Sequence, residues 1–109
     1  MKTIGEYRRA GDTVSHPLSF SFDQNYPNPF NPSTSFSFGL PAASHVSLHV
    51  YNVLGQKVAT VVDREYSAGR HRVVWDGVPS NGQQVGSGVY FARFRAGDHT
   101  VTRKMVVVK

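Results

Sequence analysis

From Phe20 to the end of the chain, apolar and polar residues alternate with a period of two, and no segment carries a convincing 3.6-residue period. A period of two sends successive side chains to opposite faces of an extended strand. A chain patterned this way throughout can bury its apolar residues only by laying sheets against each other or closing one sheet on itself. Phe20 and Phe22 alternate with Ser19 and Ser21, which predicts a short first strand. Thr34 to Leu40 predicts a second, with Phe36, Phe38 and Leu40 on one face. His45 to Val53 predicts a third, with Val46, Leu48 and Val50 inward and His45, Ser47, His49 and Tyr51 outward. Leu54-Gly55 turns the chain, and Gln56 to Val62 returns as its hairpin partner. Asp63 to Gly69 reads as a loop, and Arg70 to Trp75 as a strand with His71, Val73 and Trp75 on one face. Gly88 to Ala96 and His99 to Lys109 complete the series, joined by a turn at Ala96-Gly97-Asp98.

About seven strands with turn signals roughly every 8–12 residues predict an all-β fold, an antiparallel immunoglobulin-like sandwich. A small barrel is the alternative closure, but the strands are short and show no repeating shear or bulge pattern. The strand from Gly88 places Tyr90, Ala92 and Phe94 on one face and Val89 and Phe91 on the other, which suits a central position. Between the first two strands, Pro27, Pro29 and Pro32 stiffen a loop from Tyr26 to Ser33. Each proline pushes the residue before it toward extended backbone, and Asn28 and Asn31 offer side chains to fix turns. Tyr26 or Phe30 is expected to be buried beneath this loop. Trp75 is expected between the sheets, against Leu48, Val50 or Phe94.

One domain is the natural content of 109 residues. Residues 1–18 are polar and aperiodic and read as a linker or loosely attached tail, leaving 19–109 for the sandwich. The net charge of +5 is unevenly placed. Residues 1–63 carry four Lys/Arg and four acids, whereas residues 64–109 carry eight and three. The second half therefore favours an anionic partner, such as an acidic protein surface, lipopolysaccharide or nucleic acid, or simply presents a solvated basic face. Cysteine is absent, which excludes disulfides and thiolate metal sites. No run of about 18 apolar residues could span a membrane as a helix. The N-terminal Met1 to Arg9 lacks the apolar stretch of a signal peptide, so the chain reads as the end of a longer precursor.

Catalytic chemistry finds little support. His45 and His49 share one strand face but lie about 13 Å apart along it, too far for one metal ion. Asp76 and Asp98 sit in turns beside glycine, and Asp63 and Glu65 lie at a loop, so no pair of carboxylates faces across a cleft. Asn81-Gly82 and Ser87-Gly88 precede no helix and are not phosphate loops. The run Tyr90-Phe91-Ala92-Arg93-Phe94-Arg95 could form a stacking platform for single-stranded nucleic acid. Its period instead assigns Tyr90, Ala92 and Phe94 to the core and Arg93 and Arg95 to an outward stripe. Trp75 reads as a core residue before a tight Asp76-Gly77 turn; an exposed Trp75 would instead suit stacking on a sugar.

Several fragments, in order, carry a resemblance. They are Gln24-Asn25-Tyr26-Pro27-Asn28-Pro29-Phe30-Asn31-Pro32, Val50-Tyr51-Asn52-Val53-Leu54-Gly55-Gln56, Trp75-Asp76-Gly77, Ser87-Gly88-Val89-Tyr90 and Arg103-Lys104-Met105-Val106. Together they resemble the type A C-terminal sorting domain of the type IX (Por) secretion system, over about Phe22 to Lys109. Trp75-Asp76-Gly77 with Ser87 to Tyr90 is also similar to the immunoglobulin-like domain of the flagellar hook-capping protein.

The sorting-domain resemblance implies a non-enzymatic address label without cofactor or metal. Such a domain follows a cargo protein, carries it through the periplasm and the outer-membrane translocon, and is removed by a sortase-like cysteine peptidase. The cargo is then released or attached to anionic lipopolysaccharide; no nucleic acid is involved. Cleavage would fall before about Phe20. The ending Arg103, Lys104, Met105, Val106, Val107, Val108 and Lys109 would be the recognised part, as an edge strand with open backbone groups, or would simply seal the core. Pro27, Asn28, Pro29, Phe30, Asn31 and Pro32 would be structural or part of the recognised surface, and Trp75, Asp76, Gly77, Gly88 and Tyr90 would be structural. Two further readings are a carbohydrate- or surface-binding β-sandwich module and a structural interaction domain like the flagellar cap.

Overall fold

The computed structural model describes residues 18–31, 33–79 and 85–108. Seven strands form in chain order: β1 (Ser21–Phe22), β2 (Thr34–Leu40), β3 (Ser44–Tyr51), β4 (Lys57–Tyr66), β5 (Gly69–Trp75), β6 (Gly88–Ala96) and β7 (His99–Val107). They make two antiparallel sheets, ordered β1-β2-β5 and β4-β3-β6-β7. The alternation seen in the sequence produces this directly. Phe36, Phe38 and Leu40 point inward from β2, and Val46, Leu48 and Val50 from β3, all fully buried. Ala92, Phe94 and Ala96 do the same from β6, which lies between β3 and β7, the central position its pattern predicts.

Aromatic rings join the layers. Phe22 stacks on Phe94 at 4.8 Å between centroids, and Phe38 meets Phe94 at 5.2 Å and the edge of Tyr66 at 5.1 Å. Each such side chain contributes about 1.5–3 kcal/mol by leaving water. The rings are offset or tilted as their quadrupoles favour.

Besides β7, which ends at Val107 instead of continuing through Val108, two boundaries differ from expectation. β3 ends at Tyr51, because Asn52 begins the turn: its Oδ1 accepts from the Leu54 and Gln56 amides at 2.9 and 3.0 Å. Gly55 supplies the left-handed backbone that closes this turn, at φ 81°. The other difference is larger. Asp63 to Tyr66 are strand, not loop, and β4 pairs with β3 as far as Ser44↔Tyr66. Their charges misled because Asp63 and Glu65 face solvent on an edge strand, while Tyr66 returns to the core. Register shifts between Leu48 and His49 and between Val50 and Tyr51 also break the simple alternation. The expected linker falls almost wholly outside the described residues, as do Pro32, Asn81, Gly82 and Lys109.

Candidate functional site

Two of the fragments that stand out in the sequence, the proline loop and the terminal strand, meet at one flank of the sandwich, and Trp75 packs against the loop. Asn25 is 2% exposed at the root of the proline loop. Its Nδ2 donates to the Pro27 carbonyl at 3.1 Å and to Thr34 Oγ1 at 3.0 Å. Thr34 Oγ1 in turn donates to the same carbonyl at 2.8 Å, and Gln24 Nε2 donates to Asn25 Oδ1 at 2.7 Å. A buried amide left without these partners would be costly, so the network specifies the loop's path. Tyr26 exchanges two backbone bonds with Ser35, both 2.9 Å, which anchors the loop to β2. The peptide bonds before Pro27 and Pro29 are cis. Pro27, Pro29, Asn28 and Asn31 face solvent.

Phe30 is the loop's anchor. It is 2% exposed and packs on Trp75, with ring centroids 5.9 Å apart. Tyr26, by contrast, is 80% exposed, so of the two candidates it is Phe30 that is buried. Trp75 is buried as expected, but the aromatic ring it packs on is Phe30 of the loop rather than Phe94. Its Nε1 donates to the Val78 carbonyl at 3.0 Å, and Asp76 Oδ1 accepts from the Val78 amide at 3.0 Å, shaping the turn. Gly77 at φ 79° and Gly88 at φ 145° hold conformations that L side chains rarely adopt. Tyr90 is half-buried and donates from its hydroxyl to the Gly86 carbonyl at 3.0 Å.

The loop clasps the terminal strand. Phe30 N–H donates to the Val106 carbonyl at 3.0 Å, and Val108 N–H donates to the Phe30 carbonyl at 3.1 Å, a parallel bridge. Val106 N–H donates to Asn28 Oδ1 at 2.9 Å, and Gln24 Nε2 to the Lys104 carbonyl at 2.7 Å. Arg103 Nε donates to the Phe22 carbonyl at 3.1 Å, tying β7 to the opposite sheet.

This corrects the expectation of open backbone groups at the chain end. β7 is an edge strand, but from Lys104 to Val108 its outer edge is occupied by the loop. The seven terminal residues also divide. Met105 and Val107 seal the core, Val106 is half-buried, and Arg103, Lys104 and Val108 are exposed. The sequence separated these segments by some 80 positions, and only the resemblance linked them.

The outer face of the larger sheet carries a second set of polar side chains. His45 lies between two carboxylates, Asp63 and Glu65, with Glu65 Oε2 at 3.2 Å from Nδ1. The hydrogen bond to Asp63, reinforced by Glu65, raises the His45 pKa above its usual value. His49 is held by Thr60 Oγ1 at 3.0 Å, and partial burial together with Lys57 and Arg93 lowers its pKa. His45 and His49 thus have separate partners, as their spacing predicts. Arg93 and Arg95 are exposed on β6, facing His49 and Ser47 across the pairing with β3.

The family model of the FlgD Ig-like domain matches residues 24–101, from the start of the clasping loop into β7. The chain belongs to the FlgD Ig-like domain family. It is a family of structural, non-catalytic domains. Comparison with curated protein sequences gives no match. Among solved structures, the domain resembles part of dimeric latent PorU from Porphyromonas gingivalis, with a TM-score of 0.68 and 20% identity over 94% of this chain. FlgD from P. aeruginosa superposes with a TM-score of 0.54 and 25% identity over 68% of this chain. PorZ from Porphyromonas gingivalis, described as an essential bacterial surface component of the type-IX secretion system, gives 0.52 and 18% over 79%. The chain spans 10% of the PorU chain, 57% of the FlgD chain and 11% of the PorZ chain. At these identities the PorU and PorZ likenesses concern the fold.

Proposed function

We propose that this FlgD-type Ig-like domain is a C-terminal sorting domain of the type IX secretion system. It directs an attached N-terminal cargo across the periplasm and outer membrane to the cell surface or medium. The observation that carries the proposal is the clasp. The two segments most characteristic of the resemblance, Gln24 to Pro32 and Arg103 to Val108, meet through four hydrogen bonds and the buried Phe30. Such a clasp holds the chain end as a fixed surface that a translocon could read. The fold likeness to parts of PorU and PorZ adds support. The partners are the translocon, the sortase-like cysteine peptidase that would cut before about Phe20, and the cargo, which would meet anionic lipopolysaccharide. No cofactor or nucleic acid is required.

The test is a fusion of residues 20–109 behind a signal peptide and reporter in a bacterium with type IX secretion, with the host's own sorting domain as positive control. Deleting Lys104–Lys109 would remove Met105 and Val107 from the core as well as the signal. The informative variants are therefore Lys104→Gln and Val108→Ser, which leave the core intact. Export of the intact fusion with periplasmic retention of the double variant is expected. Equal export of both would refute terminal recognition. A second reading, a structural interaction domain like that of FlgD, draws on the family match itself. It gains if the intact fusion folds yet never leaves the periplasm.

A further inference from the structure

Six arginines lie among the described residues, and four are tethered. Arg64 donates to the Glu65 carbonyl at 3.0 Å and lies 4.0 Å over the Tyr66 ring. Arg70 binds Asp23 at 2.9 Å and Ser21 at 3.2 Å, and Arg72 binds Ser35 at 2.8 Å. Arg103 is held by the Phe22 carbonyl. Arg93 and Arg95 have no such partner among the described residues. The acids on the same sheet face, Asp63 and Glu65, are both engaged by His45. Two guanidinium groups are thus left uncompensated side by side, about 7 Å apart along β6.

Their surroundings are specific. Across the β3–β6 pairing, Ser47 faces Arg95, His49 faces Arg93, and Tyr51 faces Phe91. Across β6–β7, Thr100 faces Arg95, Thr102 faces Arg93, and Lys104 faces Phe91. Tyr51 and Phe91 are half-buried, so each keeps part of its side chain open to solvent. A concavity of about 230 Å³ lies between Ser47, His49, Tyr51, Arg93 and Arg95. A second, of about 320 Å³, continues from Tyr51 and Arg93 past Phe91 to Val53 and Thr102. The result is one strip with two guanidinium groups, then two aromatic rings with Lys104 beside them, rimmed by hydroxyls.

We infer that this strip, Arg93 and Arg95 with Tyr51 and Phe91, binds a linear anionic glycan. Acidic groups of the glycan pair with the two guanidinium forks, and a sugar ring lies against the aromatic pair. Ser47, Thr100 and Thr102 supply hydroxyls suited to sugar hydroxyls. An acidic peptide would use the arginines but has no ring face to match Tyr51 and Phe91. Partial burial is the main cause of the depressed His49 pKa, and Lys57 and Arg93 add to it while Asp63 opposes them. A bound anion would raise this pKa. The inference does not depend on secretion, because it concerns binding by the purified chain.

The experiment is an NMR titration of the 109-residue chain with hexagalacturonate, with maltohexaose as neutral probe and hexaglutamate as acidic peptide probe. Hexagalacturonate is expected to shift Tyr51, Phe91 and Arg93 resonances and to raise the His49 pKa. The Arg93→Gln/Arg95→Gln variant should bind about tenfold more weakly at low salt. Arg70→Gln/Arg72→Gln removes the same charge from the opposite sheet and should leave binding unchanged. Unchanged urea midpoints would show that the Arg93/Arg95 variant still folds. Equal weakening by both double variants would overturn the site, leaving net charge as the cause. Equal or tighter binding of hexaglutamate, equal binding of maltohexaose, or no shifts with hexagalacturonate would each overturn the glycan assignment.

Discussion

Replacing Phe30 by alanine tests the clasp at its anchor. The ring is 2% exposed and packs on the nearly buried Trp75, so truncation removes most of a large apolar side chain and opens a cavity that the two sheets cannot easily fill. Substitutions of this kind cost about 3–5 kcal/mol. A domain of this size has about 5–15 kcal/mol in total, so the loss is a large share. At about 4–8 °C per kcal/mol, the melting temperature should fall by roughly 12–40 °C. Urea unfolding gives the free energy directly. Amide exchange gives the location. Val106 and Val108 point their amides at the loop, so the intervening residue of β7 points its amide at β6. In Phe30→Ala, the Val108 amide should lose protection beyond the global decrease, whereas Val107 should follow the global decrease alone. A loss below about 1 kcal/mol, or unaltered relative protection of Val108, would show that the loop merely lies on β7 without holding it.

The acidic pair around His45 should be visible as pH dependence. Its folded pKa is raised above 6.5, so its stabilising contribution is fully present below 6.5 and is lost as pH rises through the folded value. The His45→Gln variant should differ from the parent more at about pH 5.5 than at about pH 8, and Asp63→Asn should bring the His45 NMR titration midpoint down; a midpoint at or below 6.5 in the parent would refute this. Asn25→Ala should cost about 1–3 kcal/mol, because the buried Asn25 amide serves both Thr34 and the Pro27 carbonyl. Urea midpoints check this, and a near-neutral result would mean that Thr34 alone fixes the loop.

The two-residue period revealed the sandwich because each inward apolar set, such as Phe36, Phe38 and Leu40, alternates with small residues, here Ser35, Ser37 and Gly39, that carry no apolar side chain to the other face. Where solvent-facing charges crowd an edge, the signal fails: Asp63, Arg64 and Glu65 look like loop although backbone pairing carries them as strand. The clasp was illegible for a different reason. Hydrogen bonds between Asn28 and Val106, or Gln24 and Lys104, join residues 78 and 80 positions apart and leave no periodic trace. The arginine stripe was legible as outward, but not as uncompensated. That depends on where Asp63 and Glu65 finish, and the misassigned end of β4 concealed it.

The clasp also changes how the chain end could act as a signal. An edge strand invites strand addition only where its backbone groups are free. One flank of the sandwich is closed, since Phe30 and the Asn28 and Gln24 side chains occupy the edge of β7 from Lys104 to Val108. The opposite flank lies between β4 and β5, where a groove of about 410 Å³ runs past Ala59, Val61 and the exposed Val74. There, register shifts opposite β4 and the charges of Arg70 and Arg72 on β5 discourage pairing. A machine that recognises the terminal strand must therefore read side chains, unless it first opens the clasp. The outward ones are Lys104, Val106 and Val108, which alternate with the core residues Met105 and Val107. If strand addition were the mechanism, weakening the clasp by Asn28→Ala would speed export by freeing the edge. If side chains are read, the same change would leave export unchanged or slow it, because the presented surface would lose its fixed geometry. Export kinetics of Asn28→Ala beside Lys104→Gln distinguish the two, and faster export of Asn28→Ala would overturn the side-chain reading.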